Sequence, residues 1–496
     1  MTLRLQSEWK KEIGICYSKS ILSLQSIVMP GREGAEAKME SVWVKGSEIR
    51  KRDPLPGDME APVVVIGAGI AGILTAYYLK KEGVRAVVLE ADRIGSGQTK
   101  NTTAKITSQH NLIYCRLIRT FGSRMAAHYA EANEAAIGQY ERLIREKGID
   151  CGFVRCPAYL YSRTGTALLE QEAAAAESLG IRASFETDCE LPFPVAGVTM
   201  FARQARFHPL KFLAEMAEEV EVYEQSKVLK VDDRKVETDR GTVTAKHVVF
   251  ASHYPFINVP GYYFARMHQE RSYVTALEGA GSLEGMYLGT DPGGLSFRSC
   301  GDLLLLGGGS HRTGVNPADR TGEGCKYGML RNRSQEMYPG CREVYRWSAQ
   351  DCLTLDGVPY IGRFSGRKPY WYVATGFGKW GMTSSMVSAH ILTALITGRE
   401  CQEADIFSPN RHFTAQAAKE LLVHGAYTVK GLSKHLLPSG KGRIIPNCPH
   451  MGCRLEWNPE EESYDCPCHG SRFDKEGRLI DGPAQTDCKK RKENEN

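Results

Sequence analysis

The distribution of apolar residues identifies one stretch, from Ala61 to Glu90, around which the rest of the chain is organised. A short apolar run, Val63 to Ile66, has the length and composition of a buried strand. A second apolar run, Ala86 to Leu89, directly precedes Glu90. Between the two runs, apolar residues recur at helical spacing, at Ile73, Leu74, Tyr77 and Tyr78. The pattern therefore predicts a strand, a helix and a second strand that ends at an acidic residue.

A glycine-rich turn, Gly67-Ala68-Gly69-Ile70-Ala71-Gly72, joins the first predicted strand to the helix. Gly67 allows a sharp turn, Gly69 lets the backbone approach a pyrophosphate, and Gly72 lets the helix pack closely on the strand. The helix N-terminus offers free N–H groups and partial positive charge to the phosphates. Glu90, 18 positions beyond Gly72, is placed to accept hydrogen bonds from a ribose diol. This unit predicts an ADP-containing dinucleotide, and Glu90 favours FAD or NAD over NADP.

Helix and strand patterns alternate along most of the remaining chain. Small residues and hydroxyls are dense in the loop after the second strand, Asp92 to Thr107, which suits a loop beneath a flat cofactor. The glycine-rich turn Thr375 to Thr383 precedes a helix and is a second natural site for an anion or a flavin edge. Helical patterns cover residues 117–147, 166–178, 207–220 and 384–397, and strand patterns cover residues 153–161, 222–251, 271–277, 303–306 and 370–374.

Composition limits the class of protein. The chain has 496 residues, 42% of them hydrophobic, which favours about two to four domains with sizeable cores. The net charge of +5 is small, and we expect the basic tail Lys489 to Lys492 to be solvated rather than bound to nucleic acid. No apolar run reaches the roughly 18 to 20 residues of a membrane helix, and Ile21 to Val28 lacks the features of a signal peptide. We therefore expect a cytoplasmic protein whose scattered cysteines are mostly reduced.

Five ordered segments between Pro62 and Gly398 resemble the D-amino-acid-oxidase-like flavoprotein superfamily. They are VVVIGAGIAGILTAYYL with Glu90, SGQTKNTTA, HVVFASHYP, WSAQDCLTLDGVPYIG and ATGFGKWGMTSS. The resemblance implies FAD, held without a covalent bond because the SGQTKNTTA loop has no Cys or His. It places Glu90 at the adenosine ribose, Val228 at the adenine, and Gly376 to Thr383 at the isoalloxazine edge. The implied FAD contacts are Gly67, Gly69, Ile70, Ala71, Gly72, Glu90, Ala91, Gly97, Gln98, Thr103, Ala104, Val228, Gly376, Gly378, Lys379, Trp380, Gly381, Met382 and Thr383.

The same resemblance implies a domain plan for an α/β (α+β overall) fold. We expect a Rossmann-like FAD-binding domain in three pieces, residues 58–152, 196–258 and 345–400. A β-rich substrate domain is inserted as residues 153–195 and 259–344. We expect residues 1–57 to be a leader, either disordered or an over-extended start before Met39. A helical linker, residues 401–440, leads to a small all-β domain at residues 441–488 and a basic tail at residues 489–496.

A second redox centre is indicated near the C-terminus. Cys448-Pro-His450 and Cys466-Pro-Cys-His469 supply two Cys and two His, the ligand set of a Rieske [2Fe–2S] cluster. A Cys₂His₂ zinc site requires the same set and is the alternative. Cys453 and Cys468 are extra cysteines, one in each loop, and the Rieske resemblance implies that they form a disulfide over the cluster. A zinc knuckle has no use for this pair, so the sequence favours the cluster.

This predicted domain departs from the Rieske pattern in two respects. Phe473 stands where many Rieske proteins carry a Tyr, so one hydrogen bond towards the cluster is missing and a lower reduction potential is expected. The segment from Thr414 to Gly442 leaves little room for the strands that usually precede the first ligand loop. We therefore expect a shortened domain with intact cluster loops.

The two centres together suggest a dehydrogenase. The superfamily resemblance implies oxidation of a C–N bond in an amine or amino-acid-like substrate, and a cluster that passes electrons singly to a carrier protein or quinone. Two alternatives remain: a reductase driven in the opposite direction by a ferredoxin-like donor, and an electron-transfer module without a substrate. A ring-hydroxylating oxygenase is disfavoured because no 2-His-1-carboxylate site is evident.

Candidate substrate residues lie in the β-rich segments. Arg298 falls where relatives that oxidise amino acids keep an Arg for the substrate carboxylate. Tyr273 and His311 are further candidates, with His311 more plausibly structural. Asp351 stands near the position of a second carboxylate-binding Arg in some relatives. That acid disfavours a simple α-amino acid and leaves room for a cationic amine.

Overall fold

The computed structural model describes residues 37–315, 325–433 and 444–490. The helices of these residues are α1 (Ile70–Lys81), α2 (Tyr114–Phe121), α3 (Ser123–Lys147), α4 (Ala167–Ser178), α5 (Pro209–Glu218), α6 (Tyr263–Arg266), α7 (Lys326–Met337), α8 (Gly381–Thr397), α9 (Ala404–Phe407) and α10 (Ala415–Ser433), with a 3₁₀ turn at Gln98–Asn101. None of these helices combines the length and the apolar character that crossing a membrane requires.

The first sheet carries the glycine turn. Its central strand β1 pairs in parallel with β2 on one side and β10 on the other, in the order β16-β17-β10-β1-β2-β7. Val63, Val64 and Val65 are fully buried because both faces of a parallel sheet are covered. The strands are β1 (Met59–Ile66), β2 (Ala86–Leu89), β7 (Glu221–Tyr223), β8 (Val228–Asp232), β9 (Lys235–Thr238), β10 (Thr242–Phe250), β16 (Tyr360–Ser365) and β17 (Lys368–Thr375).

A larger mixed sheet packs beside the first, in the order β15-β11-β14-β13-β12-β4-β6-β3, with β5 paired to β6. One face, which includes Val274 and Trp347, joins the core of the first sheet and its helices. The opposite face, which includes Tyr273 and Leu277, packs under α7. The strands are β3 (Lys105–Ile106), β4 (Val154–Ser162), β5 (Ala183–Glu186), β6 (Gly197–Arg206), β11 (Met267–Glu278), β12 (Met286–Gly289), β13 (Ser296–Cys300), β14 (Leu303–Arg312) and β15 (Arg342–Thr354).

The C-terminal residues form a small antiparallel sheet with its own core. Its strands are β18 (Glu456–Asn458), β19 (Ser463–Asp465), β20 (Arg472–Asp474) and β21 (Leu479–Asp481). Phe473 is fully buried there, beside Leu455 and Ile444. Each of its four strands has three residues.

Four segments of the predicted domain plan make contacts that the sequence did not indicate. Strands β6 and β15, assigned from the sequence to the FAD-binding domain, belong to the larger sheet because β6 pairs with β4 and β15 pairs with β11. Residues 37–57 are packed rather than a free leader, since Trp43 is 1% exposed and donates to the Thr102 carbonyl at 2.6 Å. Lys490 of the predicted tail forms a bridge with Ile444. Residues 1–36, 434–443 and 491–496 of these predicted segments lie outside the described residues.

Candidate active site and cluster loops

A cavity of about 1050 Å³ opens beside the glycine turn. Trp347 and Ser348 of the larger sheet contribute to its wall, as do His253, Phe377 and Ser385 from the first sheet and its connections. Phe377 falls within the predicted range Gly376 to Thr383. The other four were not identified from the sequence, because only the pairing of distant strands brings them together. Nine predicted FAD contacts line the cavity: Gly67, Gly69, Ile70, Ala71, Glu90, Ala91, Gly97, Gln98 and Val228.

The glycine turn has the close backbone approach that a pyrophosphate site requires. Gly67 has φ +108°, and a Cβ there would lie 2.7 Å from the Ala251 carbonyl oxygen. A Cβ on Gly72 would lie only 2.0 Å from the Gly67 carbonyl oxygen. Gly69 caps the N-terminus of α1 without a side-chain hydrogen bond. The turn therefore leaves a concave backbone surface at a helix N-terminus, which fits a phosphate group.

Glu90 ends β2 at the cavity wall. Its carboxylate accepts hydrogen bonds from the Ala68 N–H at 2.8 Å and the Asp92 N–H at 2.9 Å. Burial raises the pKa of Glu90, and these two backbone donors oppose that effect. The side chain thus braces the glycine turn and also faces the space that a ribose would occupy.

The other predicted FAD contacts are not among the residues that line the cavity. Trp380 stacks on His110 at 4.8 Å, and Met382 accepts a hydrogen bond from Tyr140 through its carbonyl. Thr383 donates to the Thr107 carbonyl at 3.1 Å. These contacts anchor the turn before α8, while Phe377 and Ser385 of the same segment reach the cavity. The predicted contacts outside the lining are Gly72, Thr103, Ala104, Gly376, Gly378, Lys379, Trp380, Gly381, Met382 and Thr383.

Partners within the protein surround Arg298. Its guanidinium is 3% exposed and donates to the carbonyls of Thr103 and Phe207, the latter at 2.9 Å. It also lies over the Trp43 ring at 4.9 Å. The sequence suggested a carboxylate clamp because it could not show that two carbonyls and an aromatic ring already surround this side chain.

Replacing Arg298 with Met is expected to lower stability without raising the substrate KM. Each charged hydrogen bond to a carbonyl contributes about 1.5 to 3 kcal/mol, so the loss of two should lower the melting temperature by several degrees. The half-exposed Arg240, paired loosely with Asp239, provides a matched control as Arg240→Met. A large rise in KM with unchanged thermal stability would instead support the carboxylate clamp.

Tyr273 and His311 also lie away from the cavity. The two rings stack at 5.7 Å on the face of the larger sheet that α7 covers, and Tyr327 of α7 packs edge-on against Tyr273 at 5.0 Å. The Tyr273 hydroxyl accepts a hydrogen bond from Asn458 of the small domain at 3.4 Å. These are packing contacts between the larger sheet, α7 and the small domain, and the catalytic role expected for the two residues stays a prediction.

A polar patch lies on the opposite face of the same strands. Glu270 and Asp351 are direct neighbours on β11 and β15, and Lys379 lies 3.7 Å from Glu270. The Lys379 ammonium also donates to Ser272 and Ser310, at 3.0 and 2.6 Å. Burial raises the pKa of Asp351 to about 7, which the nearby Lys379 charge only partly offsets. Asp351 has no hydrogen-bond partner among the described residues, so its carboxyl remains available.

Two hairpin loops bring the four predicted cluster ligands together. The Cys448 N–H donates to the Cys453 carbonyl and the Cys466 N–H to the Ser471 carbonyl, both at 2.8 Å. The His450 and His469 rings meet at 4.9 Å. A hydrogen bond from Cys466 lowers the pKa of the Cys448 thiol. Burial lowers the pKa of His450 to about 4 and of His469 to about 3, so both imidazoles are neutral and suited to bind a metal.

Unpartnered ring nitrogens show that these residues fit a cluster. The His450 Nε2–H donates to Asn258 Oδ1 at 2.8 Å, which leaves Nδ1 buried with no partner among the described residues. His469 is 1% exposed, and both of its nitrogens are likewise unpartnered. Buried polar atoms normally have partners, so this arrangement indicates a group that binds them.

The predicted disulfide between Cys453 and Cys468 is present. The sulfur atoms of these two residues and Cys466 lie close enough together for a metal, within 4.8 Å. However, the disulfide removes two of the three as ligands. The pair therefore ties the two loops together, and Cys448, His450, Cys466 and His469 remain as the donor set.

The ligand loops face the larger sheet. Gln269 donates through Nε2 to the His469 carbonyl at 2.7 Å, and Gln350 donates to the Gly470 carbonyl at 2.9 Å. Arg312 donates to the Pro467 and Cys468 carbonyls, each at 3.2 Å. A buried ionic network, in which Glu461 pairs with Arg271 at 2.7 Å and with Arg472 at 3.2 Å, joins the two domains beside these bonds.

Comparison with known proteins agrees with both parts of the chain. The family model for FAD dependent oxidoreductases matches residues 62–395, and the model for the Rieske [2Fe-2S] domain matches residues 442–491. The Rieske 2Fe-2S iron-sulfur protein YhfW of Bacillus subtilis is 34% identical over 92% of this chain and 98% of its own length. Cytochrome b6-f complex iron-sulfur subunit 2 of Trichormus variabilis is 48% identical over 9% of this chain and 26% of its own length.

Among solved structures, glycine oxidase from Geobacillus kaustophilus superimposes with a TM-score of 0.58. It is 19% identical and covers 71% of this chain and 99% of its own chain. At this identity the likeness shows the fold.

Proposed function

The chain belongs to the family of FAD-dependent oxidoreductases and carries a Rieske [2Fe-2S] domain, and on this premise we propose that it is an amine dehydrogenase. When bound, FAD would accept a hydride from the carbon that bears the amine nitrogen, leaving an imine, and the cluster would carry single electrons. The protein's own residues bind and orient these groups and the substrate. The electron partner is a one-electron carrier protein or a quinone.

The cavity residues support the FAD site of this proposal. The N-terminus of α1 at the turn Gly67 to Gly72 would bind the pyrophosphate, and Glu90 would accept from the ribose. Val228 would pack on the adenine. Cys448, His450, Cys466 and His469 would hold the cluster, while Asn258 fixes the orientation of the His450 ring.

One observation supports electron transfer between the two centres. The loops that carry His450 and His469 face the larger sheet of the same chain. His469 is buried against the larger sheet, bonded through Gln269, and Phe264 packs edge-on against its ring at 5.9 Å. Gln269 lies next to Cys352, which contacts His253 of the cavity wall at 3.2 Å. A cluster held there would lie beside the flavin domain of its own chain, which favours electron transfer within the molecule.

The polar patch supports an amine that binds as a cation. Asp351 is on the face of the sheet that packs towards the first domain, and Gly378 of the turn before α8 donates to the neighbouring Cys352 carbonyl at 2.8 Å. The Asp351 carboxylate would bind the substrate ammonium. Glu270 is already paired with Lys379 and His268, so Asp351 is the acid left to bind the substrate.

Replacing Asp351 with Asn is expected to raise KM for the amine roughly tenfold at pH 8 and to flatten its pH dependence. With a pKa of about 7, Asp351 is about one-tenth ionised at pH 6 and about nine-tenths at pH 8, so wild-type KM should fall as pH rises. Steady-state kinetics between pH 6 and 8 measure this effect. Asp232→Asn, at an exposed position on β8, is the control. An unchanged pH profile in the Asp351 variant would place the substrate elsewhere.

Anaerobic mixing with a panel of amines tests the proposed reaction directly. A substrate should bleach the flavin absorbance, and the low-average-g EPR signal of a His-ligated cluster should then grow without any added acceptor. Flavin reduction by a ferredoxin-like donor, with no response to amines, would support the reverse reaction. No response from either would leave an electron-transfer module and contradict the proposal.

A further inference from the structure

The last strand of the Rieske domain and the turn after it reach the FAD cavity. Residues 479–485, called the closing segment below, all line this cavity, opposite Gly67 and Glu90. Glu461 and Arg472 of the same domain also contribute to the wall. One side of the nucleotide site is thus supplied by the domain that binds the cluster.

Specific hydrogen bonds hold the closing segment on the flavin domain. Gln98 donates to the Asp481 carboxylate at 3.0 Å, and Lys227 donates to the Gln485 carbonyl at 2.7 Å. Gln269 donates to the Gly482 carbonyl at 3.1 Å. Gln98 and Lys227 themselves line the cavity, so these bonds join the two domains in the cavity wall.

The closing segment is also tied to the cluster loops. The Ala484 N–H donates to the Ser471 hydroxyl at 3.0 Å, and Ser471 lies two positions after the ligand His469. Ala484 is 1% exposed, so this bond is shielded from water. Movement of the ligand loop would therefore move the cavity wall.

We propose that the Rieske domain is a structural part of the FAD site and that the closing segment retains the bound cofactor. FAD then leaves only when the domain lifts from the larger sheet. The cluster domain has, in this arrangement, a second role beside electron transfer. The inference depends on FAD occupying the cavity and is independent of the substrate.

Amide hydrogen exchange in the wild-type protein tests this role. Exchange is compared between the FAD-loaded protein and the same protein stripped of FAD, with cluster content followed by EPR. We expect at least tenfold slower exchange in residues 479–485 when FAD is bound, and little change in β18, which is at the opposite edge of the small sheet from β21. Equal exchange of the closing segment in both forms would overturn the proposal.

A wedge variant provides a second test. A Cβ on Gly314 would lie 2.3 Å from Pro467 N, so Gly314→Ala should push the ligand loop off the sheet without touching the cavity. Gly293→Ala is the matched control, because Gly293 has φ +75° against +73° for Gly314 but open space around its Cβ.

FAD release, followed by the rise in flavin fluorescence, should be at least tenfold faster in Gly314→Ala and unchanged in Gly293→Ala. The proposal would be contradicted if a folded Gly314→Ala protein released FAD at the wild-type rate, or if both variants released FAD faster to the same extent. If Gly314→Ala does not fold, the exchange experiment decides. Neither test involves an amine, so a wrong substrate assignment leaves both results unaffected.

Discussion

Gly72→Ala is expected to abolish FAD binding, lowering the affinity by at least about a hundredfold. The added methyl would lie 2.0 Å from the Gly67 carbonyl oxygen, a backbone atom that cannot swing away. Helix α1 must then shift from β1, and its N-terminal N–H groups leave the pyrophosphate position. Gly72 itself has no positive φ, so the effect is steric and does not reflect backbone strain.

A second helical glycine provides a control for this substitution. Gly138 lies inside α3, and a Cβ there would meet nothing within 4 Å. Gly138→Ala should therefore stabilise the helix by about 0.5 to 1 kcal/mol and leave FAD content unchanged. Flavin absorbance after gel filtration and thermal unfolding measure both variants. Full FAD content in Gly72→Ala would show that the glycine turn is not the nucleotide site.

The glycine turn was predictable because its determinants are local. The strand, the turn, α1 and Glu90 lie within 30 consecutive residues, and each has a characteristic pattern in the sequence. The Cys and His spacing of the cluster loops is local in the same sense, whereas the pairing of Cys453 with Cys468 was implied by the resemblance to Rieske proteins. The chemistry of such motifs can be inferred from the sequence before the fold is known.

The misassigned residues depend on long-range packing. Arg298 looks like a free cation on a strand until its partners Thr103 and Phe207 are brought to it from distant segments. Trp43 was placed in a leader because a single buried Trp has no periodicity to reveal its contact with Thr102. The closing segment was not foreseen for a similar reason. Its contacts with Gln98 and Lys227 join residues more than 250 positions apart, and no local pattern encodes the docking of one domain on another.

His469→Ala is expected to remove the cluster and to lower turnover with a one-electron acceptor at least about a hundredfold. His469 lies with His450 at the meeting point of the two ligand loops, and a methyl group cannot replace its metal-binding nitrogen. Flavin reduction by the amine should persist in the presence of added FAD, because His469 is not among the residues that line the nucleotide cavity. Iron content, the EPR signal and acceptor-dependent turnover are compared with anaerobic flavin bleaching.

His424 of α10 makes a demanding control for this prediction. Like His469 it is buried and carries an unpartnered ring nitrogen, and burial lowers its pKa to about 3. Its ring packs on His268 at 4.5 Å, and it belongs to α10 and to neither ligand loop, so it shares the electrostatic features of a ligand without the position in the loops. His424→Ala should keep two irons per chain, the number in the cluster. Retention of the EPR signal in His469→Ala, or its loss in His424→Ala alone, would contradict the ligand set, because position in the two loops is what separates these histidines.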